Sequence, residues 1–154
     1  MKAVLLYGKQ DLRYVDVPKP EVGPADVLVK VKACGICPTD LRKYQLGKRG
    51  SPLIPHLPFN MGHEWTGDVV EVGELVTYPK VGMRVRGYGF CGYAEYALIN
   101  IFKVLKRLRE RGSNDPLEEC IVELPDNVSY EEGTFVENIS ISIHAIVDQG
   151  GGGL

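Results

Sequence analysis

The sequence has no apolar run approaching the roughly 18–20 residues a membrane-spanning helix needs. Its opening, "MKAVLLYGKQDL", carries one lysine and a short apolar stretch before turning polar, so it reads as a first strand and not a signal peptide. Cytoplasmic residence is the expectation. An excess of charge of one sign is lacking too. The formal net charge of −2 gives no general pull toward nucleic acid or an acidic membrane. No internal repeat is present. There is one C-x-x-C, not two, so a two-knuckle zinc ribbon finds no support, and Cys91 and Cys120 stand isolated. The four cysteines could form two disulfides, but a cytosolic setting favours metal binding or plain burial.

What is there suits one strand-rich domain. The 154 residues are enough for a real hydrophobic core, and 44% hydrophobic with 25% charged residues is ordinary for a globular protein. Eighteen glycines and ten prolines predict many turns. "KAVLLY" and "LRYVDVP" read as a hairpin around Gly-Lys-Gln-Asp. In "DVLVKVKAC", Val27, Val29, Val31 and Ala33 alternate with Leu28, Lys30, Lys32 and Cys34, the period of a half-buried strand. "GDVVEVGELV", "GMRVRGYGF", "YAEYALIN" and "CIVELP" predict further strands. Residues 49–60, with three prolines, predict a loop.

Two stretches are helical in expectation. "IFKVLKRLRERG" puts Ile101, Val104, Leu105 and Leu108 on one face and basic residues on much of the rest, with Gly112 as the stop. This predicts a solvated helix lying on the core. Ser129 and Glu132 form a capping box that starts a helix near Tyr130. After it, Ile139, Ile141 and Ile143 alternate with serines, which alone argues for a strand. The terminal "GGGGL" predicts a flexible tail over 150–154.

Two chemistries compete around "GICPTD". Cys34 and Cys37 could be a thiol redox pair. Such pairs sit where a strand runs into a helix. Here strand and loop are expected on both sides, and the alternation turns Cys34 toward the face of Lys30 and Lys32. Alternatively, Cys37 is one corner of a metal site. "MGHEWTGDVV" places His63 and Glu64 at a strand entry, and imidazole with thiolate suits zinc, with carboxylate as an option. A packed cysteine and a surface histidine are the plain alternative.

"GICPTD", "GHE", "VGMRV", "CGYAEYALI" and "ELPDNVSYEEGTFVENISISIHAI" follow one another in an order that resembles the zinc-dependent medium-chain alcohol and polyol dehydrogenases. The resemblance runs from Met1 to about Val147. It implies a mainly β fold, a GroES-like, partly open β-barrel with a few short helices, as a catalytic domain over 1–149. It also implies a helix for "ISISIHAI". By position, Cys37 and His63 match two catalytic zinc ligands. Glu137 matches the third ligand of the branch that uses glutamate there, which includes sorbitol dehydrogenases. Glu64 matches a glutamate that can approach or replace the zinc-bound water. Thr39 matches the hydroxyl that hydrogen-bonds the alcohol and starts the proton relay. Asp40 matches the carboxylate that orients the zinc histidine. His144 matches a position with no ligand role and reads as a packing residue.

The implied reaction is hydride transfer from a zinc-polarised secondary alcohol or polyol to NAD or NADP, with one catalytic ion. No stretch matches the family's Rossmann domain. Gly87, Gly89 and Gly92 form a G-x-G-x-x-G, but a strand-like "YAEYALI" follows where a dinucleotide fold needs a helix. No NAD(P) site is therefore expected in this chain, and whether it is an enzyme alone stays open. A Rossmann domain supplied elsewhere or a second copy of the chain would be the partner. Pro38 and Asn138 depart from the family's usual residues, proline being usual after the glutamate. The alternatives are a non-catalytic GroES-like binding module with a relict zinc site, or a C-x-x-C redox protein.

Overall fold

The computed structural model describes residues 1–50, 54, 56–87, 89, 91–110 and 121–147, without the side chains of 49, 50, 105 and 107–110. Gly112, the loop after it, Cys120, part of the proline-rich loop and the 150–154 tail lie outside the described residues, as do the side chains of Leu105 and Leu108.

The strands are β1 (Lys2–Gly8), β2 (Asp11–Asp16), β3 (Asp26–Cys34), β4 (Phe59–Asn60), β5 (Trp65–Val72), β6 (Arg84–Gly87), β7 (Tyr96–Asn100) and β8 (Ile121–Glu123). They form two antiparallel sheets, ordered β2-β1-β4 and β7-β3-β5-β6-β8. The segment before β7 stitches the sheets together. Ala94 bridges Ala3, the Val4 N–H donates to the Tyr93 carbonyl at 2.7 Å, and the Glu95 N–H donates to the Lys2 carbonyl at 3.0 Å. The architecture is mainly β with a few short helices, and among the described residues the sheets do not close into a full barrel.

The predicted hairpin forms, with Gln10 at φ 57° in its turn. The main core gathers Val27, Val29, Trp65, Val69, Val85, Ala97, Ile99, Ile101 and Ile121. Each valine or isoleucine among them, removed from water, contributes about 1.5–3 kcal/mol before ordering costs. A second cluster gathers Leu6, Ile54, Phe59 and Met61, with Tyr44, Leu57 and Tyr93 packed against it.

Among the described residues four helices complete the fold: α1 (Pro38–Leu46), α2 (Ile101–Glu110), α3 (Tyr130–Gly133) and α4 (Val136–Val147), with a 3-10 turn at Gly47–Gly50 after α1. α2 begins with Ile101, 4% exposed, and packs Val104 on the core, as its apolar face predicts. The Ser129–Glu132 box closes in both directions: Glu132 N–H donates to Ser129 Oγ at 3.1 Å and Ser129 N–H to Glu132 Oε2 at 2.8 Å. α4 takes the helical reading of "ISISIHAI". Ile139, Ile141 and Ile143 are all more than half exposed, and none of its residues is buried, which explains why its pattern shows no helical stripe. His144 is exposed and so is not the packing residue expected of it. No helix among the described residues is long and apolar enough to cross a membrane.

Two expectations around "GICPTD" fail. A helix, α1, starts directly after Cys37. Pro38 at its first position has φ preset for a helix, and Asp40 at the third accepts from the Cys37 N–H at 3.3 Å. Cys34, moreover, does not share the lysine face. The register of β3 against β5 shifts between Val31 and Ala33, and that irregularity breaks the alternation. Cys34 packs on the main core.

Candidate metal centre

The turn after β3, the N-terminus of α1 and the entry to β5 meet at one place. Cys37 caps α1, and His63 and Glu64 immediately precede β5. The Gly35 N–H donates to the Glu64 carbonyl at 2.7 Å, tying the two loops together. A Cβ on Gly35 would stand 2.7 Å from Glu64 Oε2, so the absent side chain makes room for that carboxylate. Among the described residues, the ligand atoms of Cys37, His63 and Glu64 all lie within 4.8 Å of one another. Sulfur, imidazole nitrogen and carboxylate oxygen at that spacing are a donor set that fits zinc.

Asp40 organises the layer behind these donors. Its side chain is 1% exposed, and Oδ2 lies 3.5 Å from His63 Nδ1. The Gly62 N–H donates to Oδ1 at 3.4 Å, and Tyr93 Oη donates to Oδ2 at 3.3 Å. Lys43 Nζ, on a side chain 2% exposed, stands 3.6 Å from Oδ1. Burial pushes the Asp40 carboxyl up, but His63, Lys43 and the Gly62 N–H outweigh it and leave it below its ordinary value. Burial pulls the Lys43 ammonium down, against the opposing pull of Asp40. Burial, then the Asp40 charge, push Tyr93 up, so it stays a phenol and can donate.

The other face of the ring carries Thr39. Its Oγ1 lies 3.3 Å from His63 Nε2, and Thr39 is exposed. Asp40 thus stands at Nδ1, and Thr39 lies beside Nε2, the ring nitrogen that faces the other donors' side of the site. Gly62 is required by this packing. Its φ is +77°, and a Cβ there would meet Tyr93 Cδ1 at 2.6 Å and Cys34 Sγ at 2.8 Å.

Glu137 does not join the cluster of three ligand atoms. Its Oε2 accepts from Arg86 Nη2 at 2.6 Å. Its neighbour Asn138 reaches the site instead, donating from Nδ2 to Glu64 Oε1 at 3.0 Å. The structure thus brings Cys37, Thr39, Asp40, His63 and Glu64 together and places Glu137 one residue from a side chain that touches Glu64.

Sequence reasoning missed Lys43, Tyr93 and Arg86, and marked Asn138 as a departure from the family's pattern without its contact to Glu64. The Pro38 and Asp40 spacing signals α1, and with it the i,i+3 pairing of Asp40 with Lys43. Tyr93, Arg86 and Asn138 carry no such signal, because each meets its partner across a long chain separation.

The redox reading gains the helix it lacked, since Cys37 sits where β3 feeds α1. It loses Cys34. Burial, then the Asp40 charge, push that thiol up to about 12, and Sγ donates to the Gly35 carbonyl at 3.4 Å. Cys34, Cys37 and Cys91 are all free. The Gly87, Gly89 and Gly92 run ends β6 and turns into β7. Trp65 Nε1 donates to the Gly89 carbonyl at 2.9 Å, which makes this a core-packing turn.

The chain is similar to known proteins along most of its length. Residues 23–144 match the family model described as "Alcohol dehydrogenase GroES-like domain". An (R,R)-butanediol dehydrogenase of Bacillus subtilis is 35% identical over 95% of this chain and 46% of its own length. A sorbitol dehydrogenase of Bos taurus is 34% identical over 93% of this chain and 43% of its own. The crystal structure of 2R,3R-butanediol dehydrogenase from Bacillus subtilis superposes with a TM-score of 0.73 at 30% identity, covering 94% of this chain and 46% of that one. The chain therefore spans less than half the length of these relatives. By this match, and by the order of its motifs, it belongs to the alcohol dehydrogenase GroES-like domain family of zinc-type medium-chain dehydrogenases.

Proposed function

We propose that this chain is the zinc-holding catalytic domain of an alcohol or polyol dehydrogenase, in which Cys37, His63 and a glutamate oxygen hold one ion. The observation that supports it most is the approach of the Cys37, His63 and Glu64 ligand atoms within 4.8 Å, with Asp40 behind the ring. A zinc ion there would act as a Lewis acid on a substrate oxygen.

The chain's own residues would do the rest. Asp40 Oδ2, 3.5 Å from His63 Nδ1, would favour the tautomer that carries its proton on Nδ1 and leaves Nε2 as the ligand atom. Thr39 Oγ1, beside Nε2 and open to solvent, accepts a proton from the substrate hydroxyl and passes it outward. Burial of His63 and Glu64 keeps water from competing at the inner side. The relatives' names suggest a small diol or polyol with a secondary hydroxyl as substrate.

Hydride transfer needs an acceptor about 3–3.5 Å from the reacting carbon. The proposal assigns the NAD or NADP that accepts the hydride to a unit outside the described residues.

Zinc titration of the purified chain tests the proposal. Tight, one-to-one binding that is lost in Cys37→Ala and in His63→Ala is expected. Absence of tight binding, or binding unchanged in both variants, leaves a non-catalytic GroES-like module with a relict site.

A further inference from the structure

Arg86 is an expensive residue to place where it is. It projects from β6 at 6% exposure, and taking a guanidinium out of water costs several kcal/mol unless a partner compensates. That partner is Glu137, whose side chain is 18% exposed and whose Oε2 accepts from Arg86 Nη2 at 2.6 Å. Such a short, charge-assisted bond occupies the carboxylate strongly. The next residue along α4, Asn138, holds Glu64 through Oε1 at 3.0 Å. One turn of helix therefore fastens two glutamates in different ways: Glu137 onto an arginine, Glu64 beside Cys37 and His63.

Resting on the metal reading above, we infer that Arg86 is a positioning residue that withholds Glu137 and so gives the oxygen-ligand seat to Glu64. The charges argue the same way. A thiolate and one carboxylate balance a divalent ion; a second carboxylate would leave a net negative site and weaken the ion's pull on a fourth oxygen. Arg86 takes up that second carboxylate. Asn138 supports the arrangement by orienting Glu64 without adding charge.

The test is zinc affinity by chelator competition, with the absorption spectrum of the cobalt-substituted protein as the readout of ligand set. With Arg86 intact, Glu64→Gln should weaken zinc about tenfold or more, while Glu137→Gln should change it by no more than about twofold and leave the cobalt spectrum unaltered. In an Arg86→Leu background Glu137 is released to fill the seat. There the same Glu64→Gln change should cost about threefold or less, and Arg86→Lys should restore the parent's tenfold cost. Arg86→Gln serves the same purpose if the leucine variant does not fold. A loss of about tenfold in Glu137→Gln with Arg86 present, or an equal Glu64→Gln cost in both backgrounds, overturns the inference. Cys37→Ser and His63→Ala separate the two levels. If both abolish zinc binding while the Arg86 pattern fails, only this inference falls. If zinc binding survives both, the metal reading falls and takes the inference with it.

Discussion

Asp40 Oδ2 sits 3.5 Å from His63 Nδ1, and Asp40 Oδ1 sits 3.6 Å from the buried ammonium of Lys43. One carboxylate thus orients the candidate ligand histidine and neutralises a buried cation.

Substitution at Asp40 should expose both roles. Asp40→Asn keeps the shape and removes the charge, and zinc affinity should fall about 10–100-fold. Asp40→Ala takes away the carboxylate 3.6 Å from Lys43 Nζ, and the zinc-free protein should lose about 3–5 kcal/mol, read from its urea midpoint. The carboxyl is held below its ordinary value, so its contribution is present above about pH 4 and fades as pH falls through the folded value. Zinc-free parent protein should therefore lose stability on acidification below about pH 4 more steeply than Asp40→Asn.

The two cysteines of the C-x-x-C should behave differently. With the Cys34 thiol pushed up to about 12, it stays a protonated, poorly nucleophilic thiol near neutral pH. Iodoacetamide should label Cys37 first in the zinc-free protein, and zinc should protect it. Cys34→Ala should keep zinc affinity within about twofold. A disulfide-exchange activity lost in Cys34→Ala would favour the redox reading instead.

Gly62 should tolerate no side chain. Its φ of +77° and the 2.6 Å approach of Tyr93 Cδ1 to a Cβ penalise Gly62→Ala on both counts. A loss of about 2–4 kcal/mol in denaturant unfolding is expected, from strain and overpacking together. Displacement of Tyr93 should also lower zinc affinity, because Tyr93 donates to Asp40.

Much of this arrangement is readable in the sequence where the physics is local. The hairpin around Gln10, the capping box of Ser129 and Glu132 and the apolar start of α2 are set by neighbours within a few residues. The motif order carried Cys37, Thr39, Asp40, His63 and Glu64 to one place. Legibility stops where geometry depends on distant segments. A break in register at Val31–Ala33 sends Cys34 into the core, and no period-2 pattern reveals a bulge. The exposed isoleucines of α4 give no stripe, since burial is what writes a stripe into a sequence. The engagement of Glu137 by Arg86 spans 51 residues, beyond any spacing rule.

X-ray absorption at the zinc edge on the zinc-bound chain is the most direct test of the central claim. The account predicts one sulfur at about 2.3 Å with nitrogen and oxygen at about 2.0–2.2 Å, and loss of the sulfur contribution in Cys37→Ser. A bound ion with no sulfur neighbour, or a sulfur signal that survives Cys37→Ser, would contradict it.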